Sequence, residues 1–178
     1  MFNHLSIYLK LPVLVLSYTI VYFLALYFYQ LSLTYENRWL GVVFNFAQSW
    51  NLILTGFLFF QTFKYVRLPQ NYYLKKRFET DSFFRFLGVP GFRYILVNSF
   101  FKQLNKRVYL KGRTKDYIKV FIEETRQSET SHLISLVFTL VVQCFYLINH
   151  EWFNLVTLSV FSILFNVYPM LLQRKNRF

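Results

Sequence analysis

A stripe of polar side chains lies where the sequence passes from a charged segment into an apolar one. Its members can exchange protons or hydrogen bonds: Glu124, Thr125, Ser128, Glu129, His132, Ser135, Thr139 and Gln143. On a helix that advances about 100° per residue they fall within an arc of roughly 140°. Carboxylates and an imidazole are costly beside hydrocarbon, so such a stripe indicates a functional cleft or a contact with a partner helix.

His132 is the residue in this stripe best suited to act as a general base. It is the only one of the three histidines in an apolar context, and Glu129 precedes it by one helical turn. Glu129 could fix the imidazole tautomer and stabilise its cation. The alternatives are structural hydrogen bonding or an interfacial helix cap for His132, and a structural salt bridge to Arg174 or Arg177 for Glu129. No second His or Cys lies at ligand spacing, so we predict no metal site.

The composition places the chain in a membrane. Of the 178 residues 55% are hydrophobic and only 16% charged. Four apolar stretches approach the ~20 residues that cross a bilayer core, at about 11–33, 39–63, 133–149 and 152–172. The third is short, and a soluble core helix or a re-entrant hairpin with the fourth is an alternative reading. The first is too long for a signal peptide, so we retain it as a span.

A basic and aromatic segment separates the second and third stretches. Residues 64–131 hold 15 Lys and Arg against six Asp and Glu, interleaved with many Phe and Tyr. This pattern predicts two short amphipathic helices in the headgroup region, with a turn at Gly88-Val89-Pro90-Gly91 between them. A further helix is expected to begin near Thr114 and to continue through the polar stripe. The fold prediction is therefore all-α, a four-span transmembrane helical bundle with an interfacial segment, forming one domain over residues 1–178.

The placement of the basic residues also predicts partners and orientation. They flank apolar spans instead of forming a separate patch, which favours anionic lipid headgroups over nucleic acid. By the positive-inside rule, the central segment and both termini are cytoplasmic. Partner membrane proteins are a further prediction, because polar residues in spans also specify helix association.

A second polar line follows the last apolar stretch. Ser159, Ser162, Asn166, Gln173 and Arg177 fall within about 60° of one another on a helix. Across an antiparallel hairpin this face can meet the Glu129–His132 face, with Glu129 or Glu124 in ion-pair reach of Arg174 or Arg177. We expect Glu124 and Arg126 to belong to an ion-pair network. Asn45, Gln48 and Ser49 share a side of the second stretch and could line a wet cavity or join helices.

Two motifs taken together resemble one known family. Residues 124–132 read ETRQSETSH, and residues 166–177 read NVYPMLLQRKNR. They resemble the paired motifs of the glycosyl-4,4'-diaponeurosporenoate acyltransferase family, an E-T-basic-x-x-E-x-x-H segment and an N-x-x-P then Q-R-x-N-R ending. The resemblance covers roughly residues 72–178. Gln127 and Lys175 depart from the family pattern, in which a basic residue and Tyr are common.

The resemblance implies an integral membrane enzyme of the bacterial cytoplasmic membrane that transfers a fatty acyl group to a sugar hydroxyl of a glycosylated, carotenoid-like lipid. It implies no bound cofactor and an activated donor such as acyl-CoA or acyl carrier protein. The catalytic candidates are His132 and Glu129. The candidates for substrate binding or a structural polar network are Glu124, Thr125, Arg126, Asn166, Gln173, Arg174, Asn176 and Arg177. The alternative function is a non-catalytic membrane subunit or assembly factor that binds partner helices through the same polar faces.

Overall fold

The computed structural model describes residues 37–62, 68–99 and 115–177, together with a series of positions between 12 and 31. Its described regions are helical and contain no strand. The helices are α1 (Arg38–Thr62), α2 (Gln70–Tyr73), α3 (Asp81–Phe86), α4 (Val89–Asn98), α5 (Lys115–Ile148), α6 (Trp152–Ser162) and α7 (Tyr168–Arg177). A π-helical turn, Ile163–Val167, joins α6 to α7. The all-α prediction is confirmed for these regions.

Three helical stretches are long and apolar enough to cross a membrane: Arg38–Phe60, Tyr117–Ile148 and Trp152–Arg177. They correspond to the second, third and fourth predicted stretches. The third is longer than its apolar run because the helix continues back through the polar stripe, as predicted. The first stretch, 11–33, is only partly described. Its described positions from Pro12 to Leu31 are helical, and the predicted cap near Thr114 lies outside the described residues.

The long helices form an antiparallel arrangement with an apolar core near one end. Phe44 and Leu52 of α1, Tyr146 of α5 and Leu158 of α6 are buried together. Tyr29 adds a ring contact with Phe44, with the centroids 4.9 Å apart. A tight connection, at which His150 has a φ of 58°, turns the chain from α5 into α6.

α1 and α5 lie in close contact at Gly56. A Cβ added there would lie 2.1 Å from the Ser135 Oγ and 2.7 Å from the Ser135 backbone N. The Ser135 hydroxyl reaches the Ile53 carbonyl at 3.3 Å and the Ser131 carbonyl at 3.0 Å. A glycine lets the two backbones meet, as is common where membrane helices cross.

Residues 68–99 of the central segment form a small arm, part of which packs against α7. Phe84 and Val89 of the arm are buried with Leu172, and the Phe92 ring lies 5.0 Å from that of Tyr168. Thr80 caps α3 by accepting from the Phe83 N–H. The break between α3 and α4 is narrower than the predicted turn. Only Leu87 and Gly88 lie outside the helices, and Gly88 has a φ of 71°. Val89, Pro90 and Gly91 instead form the first turn of α4, where proline is favourable.

Candidate functional site

A buried ion-pair network joins α5 to α7. The Glu129 side chain is fully buried and meets two guanidinium groups. Arg174 Nη1 donates to Glu129 Oε1 at 3.1 Å, and Arg177 Nη2 pairs with Oε2 of the same carboxylate. The predicted contact between the two polar faces, and the predicted pairing of Glu129 with Arg174 or Arg177, are therefore confirmed. A carboxylate this deep needs such partners, because an unpaired buried charge is strongly destabilising.

The central segment supplies further members of this network that the sequence did not predict. Arg174 Nε lies 2.7 Å from Glu79 Oε1, and Arg174 Nη2 donates to the Tyr72 carbonyl at 2.7 Å. Glu79 also accepts from the Lys76 N–H at 2.8 Å. The Tyr72 hydroxyl hydrogen-bonds to Glu129, and burial together with that carboxylate raises the pKa of Tyr72 from 10.0 to about 12. Arg174, which lies on α7, thus connects the central segment to α5.

Tyr73 and Arg126 extend the network towards the surface. The guanidinium groups of Arg126 and Arg177 lie 5.4 and 5.3 Å from the Tyr73 ring centroid, within cation–π range. The Tyr73 hydroxyl donates to Thr130, whose own hydroxyl donates to the Arg126 carbonyl at 2.8 Å. Arg126 pairs at 3.9 Å with Glu123, as expected for a member of an ion-pair network, whereas Glu124 has no ion pair among the described residues. The reason is that Glu123 lies one turn before Arg126, whereas Glu124 faces a different side.

That other side is a cleft of about 490 Å³ between α1, α5 and α7. One wall, from α1, is apolar and the facing wall, from α5, is largely polar. The lining residues are Ile53, Leu54, Phe57, Phe60, Phe121, Glu124, Thr125, Gln127, Ser128, Ser131, His132, Ser135 and Gln173. The predicted candidates Glu124, Thr125, His132 and Gln173 therefore share one site, which adjoins the Glu129 network.

His132 sits on the polar wall and contacts the π-turn of the last helix. Its ring lies beside the Asn166 side chain and the Phe165 backbone carbonyl. Asn166 is fully buried, and its amide nitrogen is 3.4 Å from the Ser162 Oγ. Of the two alternatives for Glu129, the structure has the salt bridge, because both Glu129 oxygens are directed at Arg174 and Arg177. Charged donors outcompete a neutral imidazole for a buried carboxylate.

The remaining polar residues mainly join helices. Gln143 donates to the Ser159 hydroxyl at 2.9 Å, and Asn45 donates to Asn154 at 2.8 Å. The Asn45 amide is therefore a helix contact and lies outside the cleft. Among the described residues, Asn176 shows no side-chain hydrogen bond or ion pair, so the structure does not bring it to either cluster.

No group of three His, Cys, Asp or Glu side chains in the described ranges is arranged to hold a metal ion. Cys144, on the outer side of α5, is exposed. The side chains that line the cleft supply one imidazole, one carboxylate, several hydroxyls and two amides. This set suits proton transfer and the binding of a hydroxyl-rich group.

A comparison with known families agrees with the resemblance seen in the two polar motifs. The family model for glycosyl-4,4'-diaponeurosporenoate acyltransferase matches residues 69–178, more than half of the chain and including both polar motifs. No curated protein and no solved structure matches this chain. With three apolar helices able to cross a bilayer, this match supports a membrane acyltransferase. The protein therefore belongs to the glycosyl-4,4'-diaponeurosporenoate acyltransferase family.

Proposed function

We propose that this protein transfers a fatty acyl group from an activated thioester donor to a sugar hydroxyl of a glycosylated lipid. The observation that carries the proposal is the two-sided cleft. Ile53, Leu54 and Phe57 offer an apolar wall to an acyl chain, and the hydroxyl-rich wall of α5 faces it. An amphipathic substrate fits such a site because each half meets a surface of matching polarity.

His132 is the general base in this proposal. The sugar hydroxyl oxygen attacks the thioester carbonyl, a C–O bond forms, and the hydroxyl proton passes to the imidazole. The C–S bond then breaks, and the leaving thiolate takes the proton from the imidazolium, so that the histidine is regenerated. A positioned acid–base group of this kind typically contributes about 10²- to 10⁴-fold to the rate. Acyl-CoA and acyl carrier protein are both donors of the required chemistry.

Glu124 and Gln173 suit substrate binding better than chemistry. Glu124 precedes His132 by eight residues, about 12 Å along the helix axis. That distance is too long for a contact with the imidazole but is comparable to the span of a sugar and its linkage. Both side chains line the cleft, and the Gln173 side-chain oxygen is buried with no hydrogen-bond partner among the described residues. A sugar hydroxyl would supply the donor that this oxygen lacks.

The exposed side of the central arm supports contact with the membrane surface. Phe86 and Tyr94 are 88% and 71% exposed, and the exposed Arg85 and Arg93 lie next to them in sequence. Aromatic rings beside cationic side chains are typical of segments that lie in an anionic headgroup region. We infer that this arm rests on the cytoplasmic leaflet of a bacterial membrane, which places the basic C-terminal end on the cytoplasmic side.

The test is acyl transfer by the purified full chain in lipid nanodiscs, with an acyl-CoA and a glycosylated lipid acceptor, read by mass spectrometry of the lipids. His132→Gln should lower turnover by about 10²-fold or more while leaving insertion intact. His150→Asn is the matched control, since His150 lies in the α5–α6 connection and its positive φ suits asparagine. We expect the control to keep wild-type turnover.

Two outcomes would count against the proposal. Wild-type turnover in His132→Gln would remove the base assignment. The absence of any acylated glycolipid, both with purified protein and in cells that express it compared with cells that lack it, would favour the alternative of a non-catalytic membrane subunit.

A further inference from the structure

The last helix is interrupted where it passes His132. In a regular α-helix the N–H of residue 169 would bond to the Phe165 carbonyl, but Pro169 has no N–H, and its ring crowds that carbonyl. The Tyr168 N–H instead donates to the Ile163 carbonyl, five residues back, which makes the π-turn. The Phe165 carbonyl is thereby released from the helix, and it lies beside the His132 ring. Turns of this kind often mark functional sites.

Two buried polar atoms at this contact complement each other. Among the described residues, neither His132 Nδ1 nor Asn166 Oδ1 has a hydrogen-bond partner of good geometry, although their side chains are in contact. A ring N–H is a donor and an amide oxygen is an acceptor. Buried groups of this type are normally paired, so a small adjustment of the two side chains would satisfy both.

We propose that Asn166, helped by the released Phe165 carbonyl, holds His132 as the tautomer with its proton on Nδ1. The Nε2 lone pair is then directed to the cleft, where it can accept the substrate's proton. Asn166 is a positioning residue, and its catalytic consequence rests on the proposed acyl transfer. In proteins generally, a group hydrogen-bonded to one imidazole nitrogen determines whether the other nitrogen carries a proton.

The choice of Asn166 over Glu129 follows from what each side chain already binds. Glu129 is held by Arg174 and Arg177, as described above, whereas the Asn166 oxygen has no other partner among the described residues. Pro169 and Asn166 act at the same contact with His132. Pro169 releases the Phe165 carbonyl, and the π-turn places the Asn166 side-chain amide beside the same imidazole ring.

The direct test is ¹⁵N NMR of the full chain in nanodiscs with labelled histidines. The chain has only three, and His132→Gln assigns the signal of interest by removing it. We expect the His132 proton on Nδ1 in the wild-type protein. In Asn166→Leu, which keeps the volume but removes the acceptor, we expect a mixture of tautomers. In Asn166→Asp, which keeps an acceptor, we expect Nδ1–H to be retained.

Asn45→Leu is the matched control, because Asn45 is an equally buried asparagine that joins α1 to α6 away from His132. It should leave the tautomer unchanged. A wild-type proton on Nε2, or an Asn166→Leu protein with an unaltered tautomer, would overturn the proposal. The wild-type measurement needs no variant, so a variant that fails to fold does not block the test.

Kinetics provide the second readout. Asn166→Leu should lower kcat by about 10-fold or more with KM within about twofold, because the loss falls on the orientation of the base and not on substrate binding. Asn166→Asp should recover most of the rate. A loss confined to KM would contradict a positioning role. If the wild-type protein transfers no acyl group, the proposed function fails, while the NMR result still decides the tautomer.

Discussion

Neutralising Glu129 should destabilise the protein far more than neutralising Glu123, which lies on the same helix. Glu129→Gln keeps the shape of the side chain but removes the charge that faces Arg174 and Arg177. Arg174 retains Glu79 at 2.7 Å, so its charge stays compensated. The Arg177 side chain is only 3% exposed and has Glu129 as its ion-pair partner in the described network. The substitution therefore removes the buried ion pair between Glu129 and Arg177 and leaves Arg174 with Glu79.

The expected loss of unfolding free energy follows from the removal of this buried ion pair. Removing one partner of a buried pair costs about 3–5 kcal/mol of unfolding free energy. Because the glutamine oxygen can still accept a hydrogen bond, we expect the lower part of this range, about 3 kcal/mol. Glu123→Gln is the matched control on the same helix. The Glu123 side chain is 51% exposed and lies 3.9 Å from Arg126, and such surface pairs contribute about 0–1 kcal/mol.

The assay is reversible unfolding in mixed micelles, followed by tryptophan fluorescence and compared between the two variants. Adding Arg177→Gln to Glu129→Gln should make the double variant more stable than the sum of the two single losses predicts. The two side chains form one buried ion pair, so either single substitution already removes most of what the double substitution removes. Equal losses for Glu129→Gln and Glu123→Gln, or strictly additive losses in the double variant, would refute the assignment of Glu129 as the centre of the network.

Three further predictions concern the helix crossing, the network and the arm. Gly56→Ala should lower the unfolding free energy by about 1–3 kcal/mol, because its Cβ would meet the α5 backbone, whereas Gly91→Ala, which meets nothing within 4 Å, should change it by less than about 0.5 kcal/mol. The pKa of Tyr72 is raised, so its phenol proton is released near pH 10.0 in the unfolded chain and only near pH 12 in the folded chain. The unfolding free energy should therefore fall between these two pH values in alkaline denaturation, and it should fall less in Tyr72→Phe. Replacing Arg85 and Arg93 together by Glu should abolish the enrichment of anionic lipids around the protein, measured by native mass spectrometry from mixed nanodiscs. Unchanged enrichment would contradict the placement of the arm on the leaflet.

The sequence predicted those contacts that follow from helical periodicity. The stripe on α5 and the line on α7 are each set by a repeat of about 100° per residue, and two polar faces in apolar surroundings must meet. That reasoning is enough to pair Glu129 with Arg174 and Arg177. It does not reach Glu79 or Tyr72, because the segment that carries them is irregular and Arg174 contacts Tyr72 across 102 positions of sequence. An acidic residue just before the cap of α3, in a strongly basic segment, was the available signal for Glu79.

The sequence left two alternatives open for Glu129, the orientation of His132 and a salt bridge to Arg174 or Arg177. One-turn spacing correctly places Glu129 near His132 along the same helix, but proximity does not decide which donor a carboxylate binds. Two buried guanidinium groups determine that, and both belong to a helix whose register cannot be read from α5 alone. Pro169 was an available signal for an interruption of the last helix, because proline cannot donate a backbone hydrogen bond. Its consequence, the release of a carbonyl towards His132, depends on which face of the helix meets α5.

The C-terminal motif makes sense as one helix that serves two environments. Successive residues on α7 differ by about 100°, so Gln173 can face the cleft while Arg174, the next residue, faces Glu129 and Glu79. The Arg174 and Arg177 side chains, one turn apart, fix the rotation and height of α7 against α5. Because the π-turn continues directly into α7, the same ion pairs also fix where Asn166 meets His132. In the proposed reaction the charged network supports the cleft through the position of the helix, and its loss should affect turnover and stability together.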